Sequence, residues 1–571
     1  MDTFFSILKI LPKDFKIKIF IIFILLVITT VFEFLGISLV VPILTYISSG
    51  ALDENIFFIP KYLPNLKKED FLLVLLLIFL FFFIIKNLFL LLLYYWQNKF
   101  TWLIYNNLSL ELLNSYLKKP YKFFFEKNSS VLINNVIQES KNISLIINKA
   151  IVILVEISIL AGVGSFLLYF NTSITIFLAI VLIIFFLTFN FLTRKKIYNL
   201  GQVRIDSSYN QLKNLQQIFS TIKEIKLKSI ESVFIKIFKI NMNDFCEAAK
   251  TQGFFLELPK IFVEIVFIFC ILLLTFFFKI FNFENISLIS ILGLFAVAAF
   301  RTIPSVNRIL NAKQTIKFLL PSLNNLKDDL NNEKINAQIV NSATLKLNKK
   351  LPFENSIDIN NVSYKYPNTN KDVLTNISFS VKKNEYVGVV GQSGSGKSTL
   401  LDLIMGLIIP DKGQILIDNV NINNNLISWQ NRVGYVPQSV FLIDDSIKNN
   451  ITFGCNSESV DPKQIIDVCK KAQIYDFINS LDKKFETNVG EKGIKLSGGQ
   501  IQRLGIARAL FSNPDIIIFD EATSSLDLKT ENEFLESLEL LRGKVTIIFV
   551  SHRKPSLKYC NKIIDLDEIK L

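Results

Sequence analysis

Six apolar runs lie before position 305: Ile19 to Ile47, Phe71 to Trp96, Ala150 to Phe170, Ile174 to Leu192, Phe254 to Phe278 and Ile286 to Ile303. Each meets or approaches the roughly 20 residues that a helix needs to cross a bilayer. The N-terminal part is therefore expected to be a bundle of six transmembrane helices with both ends on one side. Hydrophobic residues make up 51% of the chain, Phe alone numbers 53, and the mean hydropathy is +0.41, outside the soluble range. The start, Met1-Asp-Thr-Phe-Phe5, has no basic region before a short apolar core, so the first run should stay in the protein as a spanning helix.

The connections set the orientation. Lys9, Lys13, Lys16 and Lys18 precede the first run. Lys118, Lys119, Lys122 and Lys127 follow the second, Arg194 to Lys196 the fourth, and Lys313 and Lys317 the sixth. Basic residues concentrate on the cytoplasmic side of membrane proteins, which puts both termini there. Residues 97–149 and 193–253 are polar, helical in pattern and poor in Gly and Pro, so the spans should run on into the cytoplasm. They would turn near Lys119 to Phe125 and near Asn210 to Thr221, offering docking surfaces. The expected layout is a six-helix transmembrane domain over 1–320, a linker over 321–352 and an α/β nucleotide-binding domain over 353–571.

Three cations interrupt the apolar runs: Lys86, Lys260 and Arg301. At about 1.5 Å per residue they lie about 22 to 27 Å from the outer ends of their runs, a common depth in the inner third of the bilayer. Either they line a cavity that favours an anionic head group, or they snorkel to the inner interface or pair with Glu33, Glu156 and Glu264. The net charge of +13 follows the cytoplasmic loops, and no basic stripe with interleaved aromatics points to nucleic acid. Five scattered cysteines without CxxC spacing read as thiols, not as a disulfide framework or a metal site.

The chemistry sits downstream. The strand-like Tyr386 to Val390 leads into Gly391, Gln392, Ser393, Gly394, Ser395, Gly396, Lys397, Ser398 and Thr399, followed by the helical Leu400 to Met405. Such a loop wraps backbone N–H groups around a polyphosphate, with Lys397 on the β- and γ-phosphates and the Ser398 hydroxyl on Mg²⁺. ATP and Mg²⁺ are the expected ligands. Upstream, Tyr366 either stacks on a base or packs in the core. Gln438, after a short strand, can reach Mg²⁺ and the attacking water. Ser497, Gly498, Gly499 and Gln500 open an amphipathic helix, an anion-binding arrangement. Asp520 and Glu521 end the apolar strand Ile516 to Phe519, where Asp520 can hold Mg²⁺ and Glu521 can polarise a water. Asp527 follows in Ser524-Ser-Leu-Asp527, and His552, the single histidine, comes directly after another strand, placed to touch the γ-phosphate.

In this order these motifs resemble the nucleotide-binding domain of ABC transporters, over residues 355–571, with Leu496-Ser-Gly-Gly-Gln500 as the family signature. The resemblance implies that Tyr366 stacks on adenine, that Glu521 is the catalytic carboxylate, and that Ser497 to Gln500 close over ATP held by a partner subunit. One six-span domain with one such domain is similar to an exporter half-transporter, which implies a homodimer in a bacterial cytoplasmic membrane.

Within the exporters, Phe32 to Pro42 and Arg301 to Arg308 resemble the PglK type of lipid-linked oligosaccharide flippase. That likeness implies that Arg301, with Lys86 and Lys260 where arginine is usual, draws the pyrophosphate of a lipid carrier; lysine keeps the charge but loses bidentate geometry. An exporter of lipid A, phospholipid, drug or peptide is the alternative, and an ATP-gated channel or regulator is a further one.

Overall fold

The computed structural model describes residues 13–39, 68–170, 172–280, 285–344, 353–367, 369, 371–455, 460–522, 528–539, 542–551 and 557–569. The chain divides into two compact units: Met1–Lys118 with Lys127–Lys334, and Lys119–Glu126 with Ile335–Leu571.

The first unit is helical. Its long helices are α1 (Lys13–Ser38), α2 (Lys68–Leu117), α3 (Ser140–Phe170), α4 (Thr172–Ser220), α5 (Glu231–Ile280) and α6 (Asn285–Thr344). Among the described residues, four stretches are long and apolar enough to cross a membrane: Ile17–Gly36, Leu76–Leu117, Ser129–Tyr169 and Thr175–Ser220. The fifth and sixth expected spans fall inside α5 and α6. Helices α1, α2 and α3 pack against one another, and α4 lies along α5. Small residues permit close approach: a Cβ on Gly201 of α4 would sit 2.1 Å from the Phe318 carbonyl oxygen of α6.

As the polar helical pattern implies, α2, α4 and α5 run far beyond bilayer length. Two boundaries differ from the sequence reading. Residues 210–220 stay helical, and the turn comes at Thr221 to Ile230, where Ser229 closes the short helix Ile222–Lys228 in the left-handed conformation (φ 52°). Helix α6 continues through Pro304 and Pro321 to Thr344, so the stretch 321–344, expected as a weakly patterned linker, is helical. Residues 40–67 and 345–352 lie outside the described residues.

The second unit carries two sheets. A four-stranded antiparallel sheet, in the order β2-β1-β4-β5, is built from β1 (Ser356–Tyr364), β2 (Leu374–Lys382), β4 (Lys412–Ile417) and β5 (Val420–Asn421). A five-stranded parallel sheet, in the order β6-β7-β8-β3-β9, is built from β3 (Tyr386–Val390), β6 (Val433–Val436), β7 (Ile516–Asp520), β8 (Thr546–Val550) and β9 (Lys562–Asp565). The central strands β3, β7 and β8 read as apolar runs because both of their faces are covered. Ile516, Ile517 and Ile518 of β7 are wholly buried. Helices α7 (Lys397–Ile404) and α8 (Gly498–Phe511) flank this sheet. Trp429, fully buried, stacks edge-on against Phe353 and donates its indole N–H to the Ile404 carbonyl at 2.7 Å, tying the foot of α7 to the core.

Candidate functional site

The site forms where β3 and β7, separated in the sheet by β8, deliver their C-terminal ends. In doubly wound sheets this edge carries the loops that bind ligands. β3 stops at Val390 and the chain turns through Gly394 (φ +84°) and Gly396 (φ +97°) into α7. At Gly396 only glycine is accommodated, because a Cβ would also lie 2.8 Å from a Leu374 methyl. The Lys397 ammonium folds back over the loop, donating to the carbonyls of Gly391 (2.8 Å) and Gln392 (3.0 Å). It thus holds a positive charge above a ring of backbone amides at the start of α7, the arrangement for a polyphosphate. The Gln392 N–H donates to Asp567 at 2.7 Å, which steadies the loop from the C-terminal helical turn.

Across the edge, the Ser398 hydroxyl lies near enough to the Asp520 carboxylate to favour its charged form. Burial pushes the Asp520 carboxyl up, and the adjacent Glu521 pushes it further, while Ser398, Tyr435 and Lys397 pull it back. Asp402, on the next turn of α7, is pushed up to about 6 by burial and by Asp520. A hydroxyl and a hard carboxylate crowded by two further acids suit a divalent cation, which relieves that repulsion, so the donor set fits Mg²⁺ with a nucleotide. Asp402 was not evident from the sequence, since a lone acid inside an amphipathic helix carries no motif.

Among the described residues of the site, Glu521 is the strained one. Its φ is +50°, in the left-handed region, and its N–H is fixed to the Val550 carbonyl at 3.0 Å. For a side chain other than glycine this conformation costs of order 1–3 kcal/mol, and such strain gathers at functional sites. The amide of Gln438 donates to the Glu521 carboxylate at 2.8 Å, so these two expected residues meet. Ser497 and Gln500 form a reciprocal cap at the start of α8: the Gln500 side chain accepts from the Ser497 N–H at 2.8 Å, and Ser497 Oγ accepts from the Gln500 N–H at 3.3 Å. Ser497 and Gly498 are exposed, leaving that helix end open to solvent.

Tyr366 is half-buried, and its hydroxyl lies 3.0 Å from that of Thr399. Its ring packs on the core edge while its hydroxyl end stands beside the phosphate loop. Asp527 and His552 lie outside the described residues.

The intramembrane cations are placed differently from a free cationic cavity. Glu33 of α1, 1% exposed, forms ion pairs with Lys86 of α2 at 2.9 Å and with Arg301 of α6 at 2.5 Å. Lys260 is exposed, as is Glu264, and does not join this cluster. Glu156 pairs instead with Arg308 at 2.7 Å, which also donates to the Tyr94 hydroxyl. A cavity of about 380 Å³ opens among α3, α4, α5 and α6, lined by Leu160, Leu167, Leu182, Phe186, Phe267 and Val306. One of its few polar side chains, Thr302, donates within its own helix to the Ala298 carbonyl.

Comparison with known proteins agrees with this geometry. Residues 374–524 match the family model described as ABC transporter. Putative multidrug export ATP-binding/permease proteins of Staphylococcus aureus strains NCTC 8325 and COL are each 42% identical over 212 residues, 37% of this chain and 36% of the relative. The chain thus matches only about a third of the length of these curated relatives. A bacterial Atm1-family ABC exporter solved with ATP bound superposes with a TM-score of 0.78 at 20% identity, over 97% of this chain and 94% of that one. The chain therefore has the fold of an ABC exporter, a helical transmembrane domain followed by an ABC nucleotide-binding domain.

Proposed function

We infer that this chain is one half of an ATP-driven exporter, acting as a pair of identical copies in a bacterial cytoplasmic membrane. The observation that carries this reading is the meeting of Lys397, Ser398, Asp520, Glu521 and Gln438 on one sheet edge, in a chain whose other unit is built of membrane-length helices.

Lys397 and the amides of residues 391–397 bind the phosphates of ATP. Ser398 and Asp520 would hold Mg²⁺, which when bound neutralises charge on the transferring phosphoryl group. Glu521 takes the proton from the attacking water, and the Gln438 amide, bonded to Glu521, orients that water. His552 and Asp527 are assigned to the γ-phosphate and the closing interface by their place in the motif order. The exposed start of α8 at Ser497 to Gln500 meets the ATP of the second copy, so each copy completes the other's site.

For the cargo, the apolar cavity among α3 to α6 favours an apolar or amphipathic molecule, in line with the multidrug export names of the Staphylococcus aureus relatives. A lipid-linked oligosaccharide is the second reading, favoured by Lys86 and Arg301, whose charge would meet a pyrophosphate. Glu33 balances one of those two charges and Lys260 stands apart, which weakens it. The test is ATPase stimulation in proteoliposomes by amphipathic dyes and by a lipid-linked oligosaccharide. Stimulation by the dyes supports the first reading, and stimulation by the oligosaccharide alone overturns it.

A further inference from the structure

The short turn Lys119–Glu126 belongs with the nucleotide-binding unit, although the chain enters and leaves it through the helical one. It carries Tyr121, Phe123, Phe124 and Phe125, and two of these join a file of rings. Tyr121 meets Phe125 edge-on at 5.0 Å, Phe125 meets Tyr366 at 5.4 Å, and Tyr366 meets Tyr364 at 5.3 Å, with interplanar angles of 73°, 81° and 84°. Tyr364 is 3% exposed and anchors the file in the core, whereas Phe125 is 42% exposed at its outer part. The Tyr366 ring is therefore fixed by Tyr364, by Phe125 and, through its hydroxyl, by Thr399 of α7.

We propose that Phe125 is a positioning residue for the nucleotide base: its edge contact holds the Tyr366 ring at the angle at which a base stacks, so that the turn sets base affinity and base preference. This rests on the nucleotide-binding reading above. Edge-to-face pairs hold ring orientation as well as area, and a ring fixed before binding spares the ordering cost that a loose one incurs. Phe125 meets the site through the Tyr366 ring, which separates its expected effect from that of Lys397.

The experiment measures binding of ATP, CTP and inorganic tripolyphosphate to the full-length protein in nanodiscs, for wild type, Phe125→Ala, Phe125→Trp, Tyr366→Ala and the double alanine variant. Phe125→Ala should weaken ATP about 2- to 10-fold, the range of an edge-on aromatic pair, with less effect on CTP and none on tripolyphosphate. KM for ATP should rise while kcat holds, and Phe125→Trp should restore binding. In the Tyr366→Ala background, removing Phe125 should add little. Unchanged ATP affinity, equal weakening of tripolyphosphate, or full additivity in the double variant would each overturn the assignment. Should Phe125→Ala fail to fold, Phe125→Leu, which keeps bulk without a ring edge, is held to the same outcomes. Wild type binding no triphosphate at all would instead refute the nucleotide-binding reading itself.

Discussion

Replacing Glu521 with Gln removes a proton acceptor and almost nothing else. The Gln438 amide donates to Glu521 at 2.8 Å, and a glutamine oxygen at 521 can accept the same bond, so the local geometry is kept. The left-handed backbone at 521 is set by the N–H bond to Val550 and is shared by both side chains. What is lost is the positioned base, worth about 10²- to 10⁴-fold in rate, or about 2.7 to 5.5 kcal/mol at 1.36 kcal/mol per tenfold. Lys397, Ser398 and Asp520 are untouched, so ATP affinity should stay within about threefold of wild type, the spread of substitutions that disturb no other feature. The assay is phosphate release from protein in proteoliposomes, paired with nucleotide binding by filter retention. Hydrolysis within tenfold of wild type would refute the role of Glu521, and loss of ATP binding would show that it serves the fold of the loop.

Two further predictions come from other parts of the molecule. Glu33→Gln leaves Lys86, 6% exposed, without its counter-charge, which for a buried pair costs about 3–5 kcal/mol, with less from the more exposed Arg301. The variant should melt earlier in detergent, and Glu33→Met with Lys86→Met should recover much of the loss; equal melting of wild type and Glu33→Gln would show that the cluster is not a tie. Asp418 is held below the usual carboxylate range: burial opposes its charge, but the backbone N–H groups of Glu354, Ser356 and Asn355, at 2.5, 2.9 and 2.8 Å, outweigh it. A depressed carboxyl stabilises the fold above its unfolded pKa of about 3.9, and that contribution fades as pH falls through the lower folded value. Melting scans from pH 6 to pH 3 should show Asp418→Asn less stable at pH 6 and flatter below pH 4, whereas parallel profiles would contradict the assignment.

The nucleotide site was legible because its chemistry is local. The loop 391–399, the pair 520–521 and the cap at 497–500 each declare themselves within a few residues, and the strand and helix flanking each are visible in the periodicity. The contacts made by the intramembrane cations were not. Glu33 was a candidate partner, but which cation it serves depends on how α1, α2 and α6 pack, and it takes two while Lys260 stays exposed. Pairing of Tyr366 with Phe125 was hidden for the same reason, since it joins residues far apart in the sequence. The helix through 321–344 was missed because polar Asn and Asp lower local propensity without forbidding helix, and the chain carries α6 onward regardless.

The central claim is that hydrolysis at this sheet edge drives a molecule across the membrane. Its most direct test is accumulation of a fluorescent amphipathic dye in inside-out vesicles containing only this protein, with ATP, with a non-hydrolysable analogue, and with the Glu521→Gln variant. The account predicts uptake with ATP in wild type alone. Equal uptake by the Glu521→Gln variant, or vigorous hydrolysis with no movement of any tested cargo, would contradict it.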